Sequence, residues 1–344
     1  MIDVDVHCAP ASLQSLSPYL SEYWRGYIES SGVRLPTFAY PPSAATSGGP
    51  PPASYDELAA ALLVASDPQF LILNCLATFE AHRHSHYVAA LARAVNDWLA
   101  EEWLERDPRL RASIVVSTVD VDDAVAEIER VGDHPQFVQV LLPVRADAPW
   151  GNRRFHPLLA AAAARDLVVG LHAWGHLLRA PTPSGMTHTH LENYLNNAVV
   201  VQSHLLSLVC EGAFERIPTL RVALLECGFA WLPPLLWRAD KDWKGIWLEV
   251  PWVTERPSRY VPRHFRFSTA PAPLPDDLDE ARELLAMVGP DLLMYASDHP
   301  HRHGRGAAQL EAALDGAQLR AFRHDTAAEF YKLADRSPIP TARG

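Results

Sequence analysis

Apolar and polar residues alternate from Ile2 to His7, and the run stops at Pro10, which predicts a short buried opening strand. After that the chain keeps switching period. FLILNCLA at 70–77 is a continuous apolar run of strand length, and 86–105 carries apolar residues at helical spacing until Asp107-Pro108 closes it. A strand at 111–118 precedes a helix at 120–131, and a strand at 137–143 precedes an alanine-rich helix at 155–165. A strand at 167–172 leads through a loop rich in His, Pro and Ser to a helix ending near 209–214. Strands at 221–226, 266–269 and 292–297 precede helices at 231–240, 278–287 and 307–333.

Eight strand-then-helix units imply a parallel sheet with helices outside, and that number predicts a closed (β/α)8 TIM barrel with loop insertions. An open doubly wound sheet is the alternative. It is disfavoured because no Gly-rich loop follows the first strand. Residues 1–344 show no repeat or domain boundary, so one domain is expected. An early insertion at about 36–54, PTFAYPPSAATSGGPPPAS, reads as an extended loop or a lid over the barrel mouth.

Composition removes several classes of function. With 48% hydrophobic and 21% charged residues the chain has material for a large core, and no apolar run approaches the ~20 residues of a membrane helix. A formal charge of -11 argues against nucleic acid or an anionic membrane as the main partner, which leaves a small-molecule substrate. The start, MIDVDVHCAP, lacks the pattern of a signal peptide. The four cysteines form no CxxC pair and read as reduced thiols of a cytoplasmic protein. The 16 histidines are unevenly spread.

Parallel barrels carry their chemistry at the C-terminal ends of the strands. Strand one ends in Asp5-Val6-His7, and alternation puts Asp5 and His7 on the same inward face. Strand five ends in His172, strand six in Glu226 and strand eight in Asp298. Each is a metal ligand by type, and carboxylate–imidazole sets suit zinc, iron or manganese. Carboxylates gathered at a core also need a cation or protons to be tolerable. The plainer alternatives are capped strand ends and, for Glu226, an ion pair with Arg238.

The opening IDVDVH, the strand-five His and the terminal SDHPH resemble the amidohydrolase superfamily. EGAFERIPTLRVALLECGFAWLPPLLWRAD is most like the branch containing aminocarboxymuconate-semialdehyde decarboxylase and the resorcylate-type decarboxylases. The resemblance implies a metal-dependent barrel and carries over Asp5, His7, His172 and Asp298 as ligand positions. The chain also departs from that pattern. Asp5-x-His7 stands where the family has His-x-His or Glu-x-His, and Glu226 stands where the decarboxylases place a proton-handling His. Strand four, FVQVLLPV, has neither the Lys nor the Glu that bridges two metals in the dinuclear hydrolases.

With His204 from VVQSHLLSL, the set Asp5, His7, His172, His204, Glu226 and Asp298 supplies six ligands, enough for two metals. Mixed His/carboxylate dinuclear sites activate oxygen. A small branch of the superfamily with nonheme diiron monooxygenases resembles this description. Diiron hydroxylation is therefore the leading expectation, with Glu226, Asp298 and His204 as catalytic residues. Hydrolysis or non-oxidative decarboxylation with one zinc or manganese is the alternative; in hydrolysis Asp298 takes the proton of a metal-bound water. A catalytically dead binding barrel is the third class.

For substrate binding the sequence offers Arg145 after strand four, as a bidentate carboxylate clamp, with Trp174 and His176 after strand five. Trp150, Trp231 and Trp252 are further candidates for an aromatic wall. His188 and His190 either support the metal or are solvated. His299 is the expected orienter of Asp298, with His301 and His303 on an exposed loop. His82, His84 and His86 read as a solvated helix entry. A homodimer is expected from the related barrels.

Overall fold

The computed structural model describes residues 1–32, 48–76, 82–175 and 180–335. Of the proline-rich insertion only 48–54 falls within them, and His176 lies outside.

Eight strands follow the predicted order: β1 Ile2–His7, β2 Phe70–Asn74, β3 Leu110–Val115, β4 Phe137–Arg145, β5 Val168–Gly175, β6 Val222–Leu225, β7 Phe265–Ser268 and β8 Leu293–Met294. Each pairs in parallel with the next. Backbone bonds from Val4 N to Tyr295 O, Asp298 N to Asp5 O and His7 N to His299 O join the last strand region to the first. The result is a nearly closed (β/α)8 TIM barrel.

Ten helices serve as landmarks: α1 Glu22–Ser31, α2 Ser85–Leu99, α3 Val121–Val131, α4 His156–Ala164, α5 His190–Cys210, α6 Leu232–Ile246, α7 Pro257–His264, α8 Leu278–Val288, α9 Gly306–Ala313 and α10 Thr326–Phe330. Local chemistry sets several of them. Asp120 caps α3 by accepting from the backbone N–H groups of Asp122 and Asp123, with acids in the first turn and Arg130 in the last. Thr189 caps α5 and Asp277 caps α8 in the same way.

The outward faces of the strands (Leu71, Leu73, Ala112, Ile114, Val140, Leu142, Val169, Leu171) are buried with Leu91, Val95, Leu158, Ala162 and Leu205 of the helices. Each such aliphatic contributes roughly 1.5–3 kcal/mol of burial. The barrel interior is more polar. Ser113 and Gln139 both donate to Asn74 Oδ1, Gln139 also donates to Ser113, and Tyr331 donates to Gln139 Oε1. Gly170 of β5 makes room for this chain, because a Cβ there would sit 2.4 Å from Gln139 Cδ.

The structure corrects three expectations about elements. β8 has two residues where 292–297 was expected, because residues 295–299 bond instead to β1. The single helix expected over 307–333 is broken. Asp315 starts a new helix, Gly316–Arg320, through a capping box with Gln318. α1 and α7 were not anticipated. The first has a Ser21 cap and a left-handed Gly32 end, and the second carries Pro257 in its first turn and Pro262 inside. Among the described residues no helix is long and apolar enough to cross a membrane.

Candidate active site

Asp5, His7, His172 and Asp298 meet at the C-terminal end of the barrel, all at most 1% exposed. One donor atom from each lies within 4.8 Å of all the others. His7 Nδ1 is hydrogen-bonded to the carbonyl of Asn74 at 3.1 Å, which makes Nδ1 the donor and leaves Nε2 to ligate. Nε2 is 2.5 Å from Asp298 Oδ1. Asp5 accepts 2.7 Å from Asn74 Nδ2 on Oδ1, while Oδ2 is 3.2 Å from His172 Nε2. Asp5 Oδ2 and both ring nitrogens of His172 are buried without a hydrogen-bond partner among the described residues.

Buried polar atoms are normally satisfied, so these orphans mark where a ligand belongs. Two imidazoles and two carboxylates are the donor set of a divalent transition metal. Ligands about 2.0–2.2 Å from one ion lie within a few ångströms of each other, as these do. The residues present fit a metal ion.

Glu226 stands beside this set, with its Oε2 3.8 Å from His172 Nδ1 and its side chain 9% exposed. Glu226 and Asp298 both have left-handed backbone, φ 55 and 53, a costly conformation for such residues that concentrates at functional sites. Glu226, Asp298 and His301 also bring one donor atom each within 4.8 Å.

Charge is concentrated here. Burial and the neighbouring charge of Asp298 push the Glu226 carboxyl well above the usual range. Burial opposes protonation of His7, but the charges of Asp298, Asp5 and Glu226 outweigh it and raise His7 to about 10. Burial likewise opposes ionisation of Asp298, yet His7 and hydrogen bonds from His301 and His303 hold it well below the ordinary value. Asp3, two residues before Asp5, is raised to about 7 by burial, against hydrogen bonds from Ser297 and the Asp5 backbone.

Five of the six expected ligands come together; His204 does not. Its Nε2 faces the Val144 carbonyl at 2.6 Å and its Nδ1 accepts from Trp150 N, so both nitrogens are committed to backbone. Its assigned ligand and catalytic roles are corrected to a structural tie between α5 and the end of β4. Arg145 is also corrected. The residue is only 7% exposed, and its guanidinium bonds to Asn193 Oδ1, the Asn193 carbonyl and Asn197 Oδ1, holding α5 rather than a substrate carboxylate. Trp150 is core, with its indole on the Pro143 carbonyl. Trp231 donates to the Cys227 carbonyl, and Trp252 to the Cys210 carbonyl beneath Arg153. Trp174 does stand at the site, edge-on to His172 with ring centroids 6.0 Å apart. Arg238 pairs with Asp242, not with Glu226.

Asp298 is held by His301 and His303, not by His299 as expected. His301 Nδ1 is 3.1 Å from Oδ1, and His303 Nε2 bonds Oδ2. Tyr194 of α5 reaches His303 Nδ1 at 3.3 Å. Its hydroxyl is raised by burial and by the charges of Glu226 and Asp298. Tyr194, His301, His303 and Asn74 were missed in sequence. Only Asn74 left a signal, as the polar residue closing the apolar run of β2. His84 caps α2, as a helix entry should.

The amidohydrolase family profile matches residues 2–333. The gamma-resorcylate decarboxylase of Rhizobium sp. (strain MTP-10005) is 26% identical over 227 residues, 61% of this chain and 65% of that enzyme. The alignment thus spans just under two thirds of that relative's length. The decarboxylase orsB of Emericella nidulans is 24% identical over 263 residues, 67% of this chain and 71% of that enzyme. Among solved structures, the dihydroxybenzoic acid decarboxylase of Polaromonas sp. JS666, with bound manganese and the inhibitor 2-nitroresorcinol, superposes with a TM-score of 0.67 at 19% identity, covering 97% of each chain. The two curated relatives are decarboxylases, and they overturn the expected diiron hydroxylation in favour of the alternative. The coverage of the profile, with the barrel and its ligand cluster, leads to one conclusion: the chain belongs to the amidohydrolase family and is an enzyme of the amidohydrolase superfamily.

Proposed function

We propose that this enzyme removes the carboxyl group of a hydroxylated aromatic acid without oxygen, using one divalent metal, manganese or zinc. Asp5, His7, His172 and Asp298 would hold the ion. When bound, it supplies positive charge that gathers the substrate's carboxylate and draws electron density from the bond to be broken.

The observation that carries this reading is the place of Glu226, its Oε2 3.8 Å from His172 Nδ1 beside the ligand set, where burial and Asp298 push its carboxyl above the usual range. A decarboxylase needs such a group. As the bond between ring and carboxyl breaks, its electron pair stays on the ring carbon, which takes the proton of Glu226, and CO2 leaves. Glu226 then regains a proton from water. Tyr194, His301 and His303 enclose the carboxylate side of the site and Trp174 its apolar side. The decarboxylase relatives support the same chemistry.

The test is CO2 release from a panel of hydroxybenzoates, 2,6-dihydroxybenzoate included, by manganese-loaded enzyme in air and without oxygen. Equal rates are expected, with one solvent deuterium in the product made in D2O. Glu226→Gln should lose roughly a hundred- to ten-thousandfold in kcat with its metal-to-chain ratio unchanged. Oxygen consumption per turnover, a panel without CO2 release or a fully active Glu226→Gln would overturn the reading.

A further inference from the structure

Strand alternation turns Val168, Gly170 and His172 of β5 to the barrel interior. The Val168 end is closed by apolar packing, and His172 carries the ligand atoms. Beyond His172 the pairing with β4 slips by one residue, and Trp174 follows at this irregularity toward the open end. There it packs, with Leu76, on the inner apolar cluster. Its ring stands edge-on to that of His172 at 6.0 Å.

The indole Nε1 of Trp174 is buried and has no acceptor among the described residues. It shares that state with Asp5 Oδ2 and both ring nitrogens of His172, the atoms of the ligand cluster beside it. Trp150 and Trp231, by contrast, each place their indole N–H on a backbone carbonyl. Trp103 and Trp243 also lack an acceptor, but they lie in helical segments away from the strand ends. A desolvated donor next to a ligand cluster gains most when a ligand brings the acceptor, because the cost of desolvation has already been met.

An acid held with its carboxylate at the His172 level would turn the ring edge remote from that carboxylate toward Trp174, whose ring centroid lies 6.0 Å from that of His172. Resting on the aromatic-acid reading above, we propose that the Trp174 N–H is a substrate-binding donor that selects acids bearing an oxygen on that remote edge. The indole face supplies an apolar wall to any aromatic ring, whereas the N–H discriminates among ring substituents. Sites built to hydrogen-bond a substrate oxygen discriminate strongly against analogues without it, because the protein group is then left unpaired.

The test is binding rather than turnover. Manganese-loaded wild type and Trp174→Phe are titrated calorimetrically with 2-hydroxybenzoate, 2,4-dihydroxybenzoate and 2,5-dihydroxybenzoate. Wild type should bind at least one dihydroxy acid roughly tenfold or more tighter than 2-hydroxybenzoate. Trp174→Phe should erase that preference, its affinities for the dihydroxy acids and for 2-hydroxybenzoate converging whatever their absolute level, with a circular dichroism spectrum matching wild type to report an intact fold. A preference kept by Trp174→Phe, or absent from wild type, overturns the role of the N–H and leaves the decarboxylase reading standing. Failure of wild type to bind any of the three overturns both.

Discussion

Asn74 serves the ligand cluster twice. Its side-chain amide holds Asp5 Oδ1 and its carbonyl holds His7 Nδ1, so one residue of β2 orients both ligands of β1. Groups that orient metal ligands commonly set affinity by one to two orders of magnitude. Asn74→Ala should therefore bind manganese roughly 10–100-fold more weakly, measured by competition with a chromophoric chelator. Unchanged affinity would show that Asp5 and His7 need no such support. Residues at this scale were legible where strand geometry alone decides direction. Asp5, His7, His172, Glu226 and Asp298 each close a strand, and alternation points them to one mouth. His301 and His303 were not legible, because nothing in HPHRHG distinguishes a solvated loop from one that folds back onto Asp298.

Among the elements, α5 is fastened to the end of β4 at two levels. Arg145 grips Asn193 and Asn197 in its first half, and His204 bridges Val144 and Trp150 lower down. This attachment places Tyr194 at the site. The second fastening is sensitive to pH. Burial lowers His204 to about 4, only partly offset by its bond to the Val144 carbonyl. The fold holds the neutral ring, so its contribution is fully present above the unfolded value near 6.5 and is lost as pH falls from there toward 4. The amount is about 3 kcal/mol. In urea unfolding, the stability gap between wild type and His204→Gln should shrink steadily from pH 7 to pH 4. A gap independent of pH would contradict a neutral buried imidazole. At this scale the eight strands were read correctly because hydrophobic period separates buried strands from amphipathic helices. What failed was decided by tertiary contact: β8 was shortened by its bonds to β1, and α7 forms despite two prolines.

For the whole molecule, the candidate metal site draws on three strands around the barrel. Asp5 and His7 come from β1, His172 from β5, and Asp298 from just beyond β8, where the barrel closes. An ion held there links the first strand to the last and to the middle of the sheet. Binding to the folded state alone adds about 2.7 kcal/mol at a hundred times the dissociation constant. Manganese should thus raise the melting temperature by several degrees and EDTA should reverse it, whereas Asp298→Asn should respond to neither. A melt indifferent to manganese in the wild type would place the metal elsewhere.

The polar chain through the barrel has one more consequence. Tyr331 lies just after the last helix, yet Gln139 and Asn74 connect its hydroxyl to Asp5, on the first strand. The far end of the fold therefore helps to hold the mouth. Shortening the protein before Tyr331 would spare every metal ligand and every residue around the substrate. It would still loosen the carboxylate of Asp5 from below, and the damage would register first as a lost affinity for metal at the opposite end of the barrel.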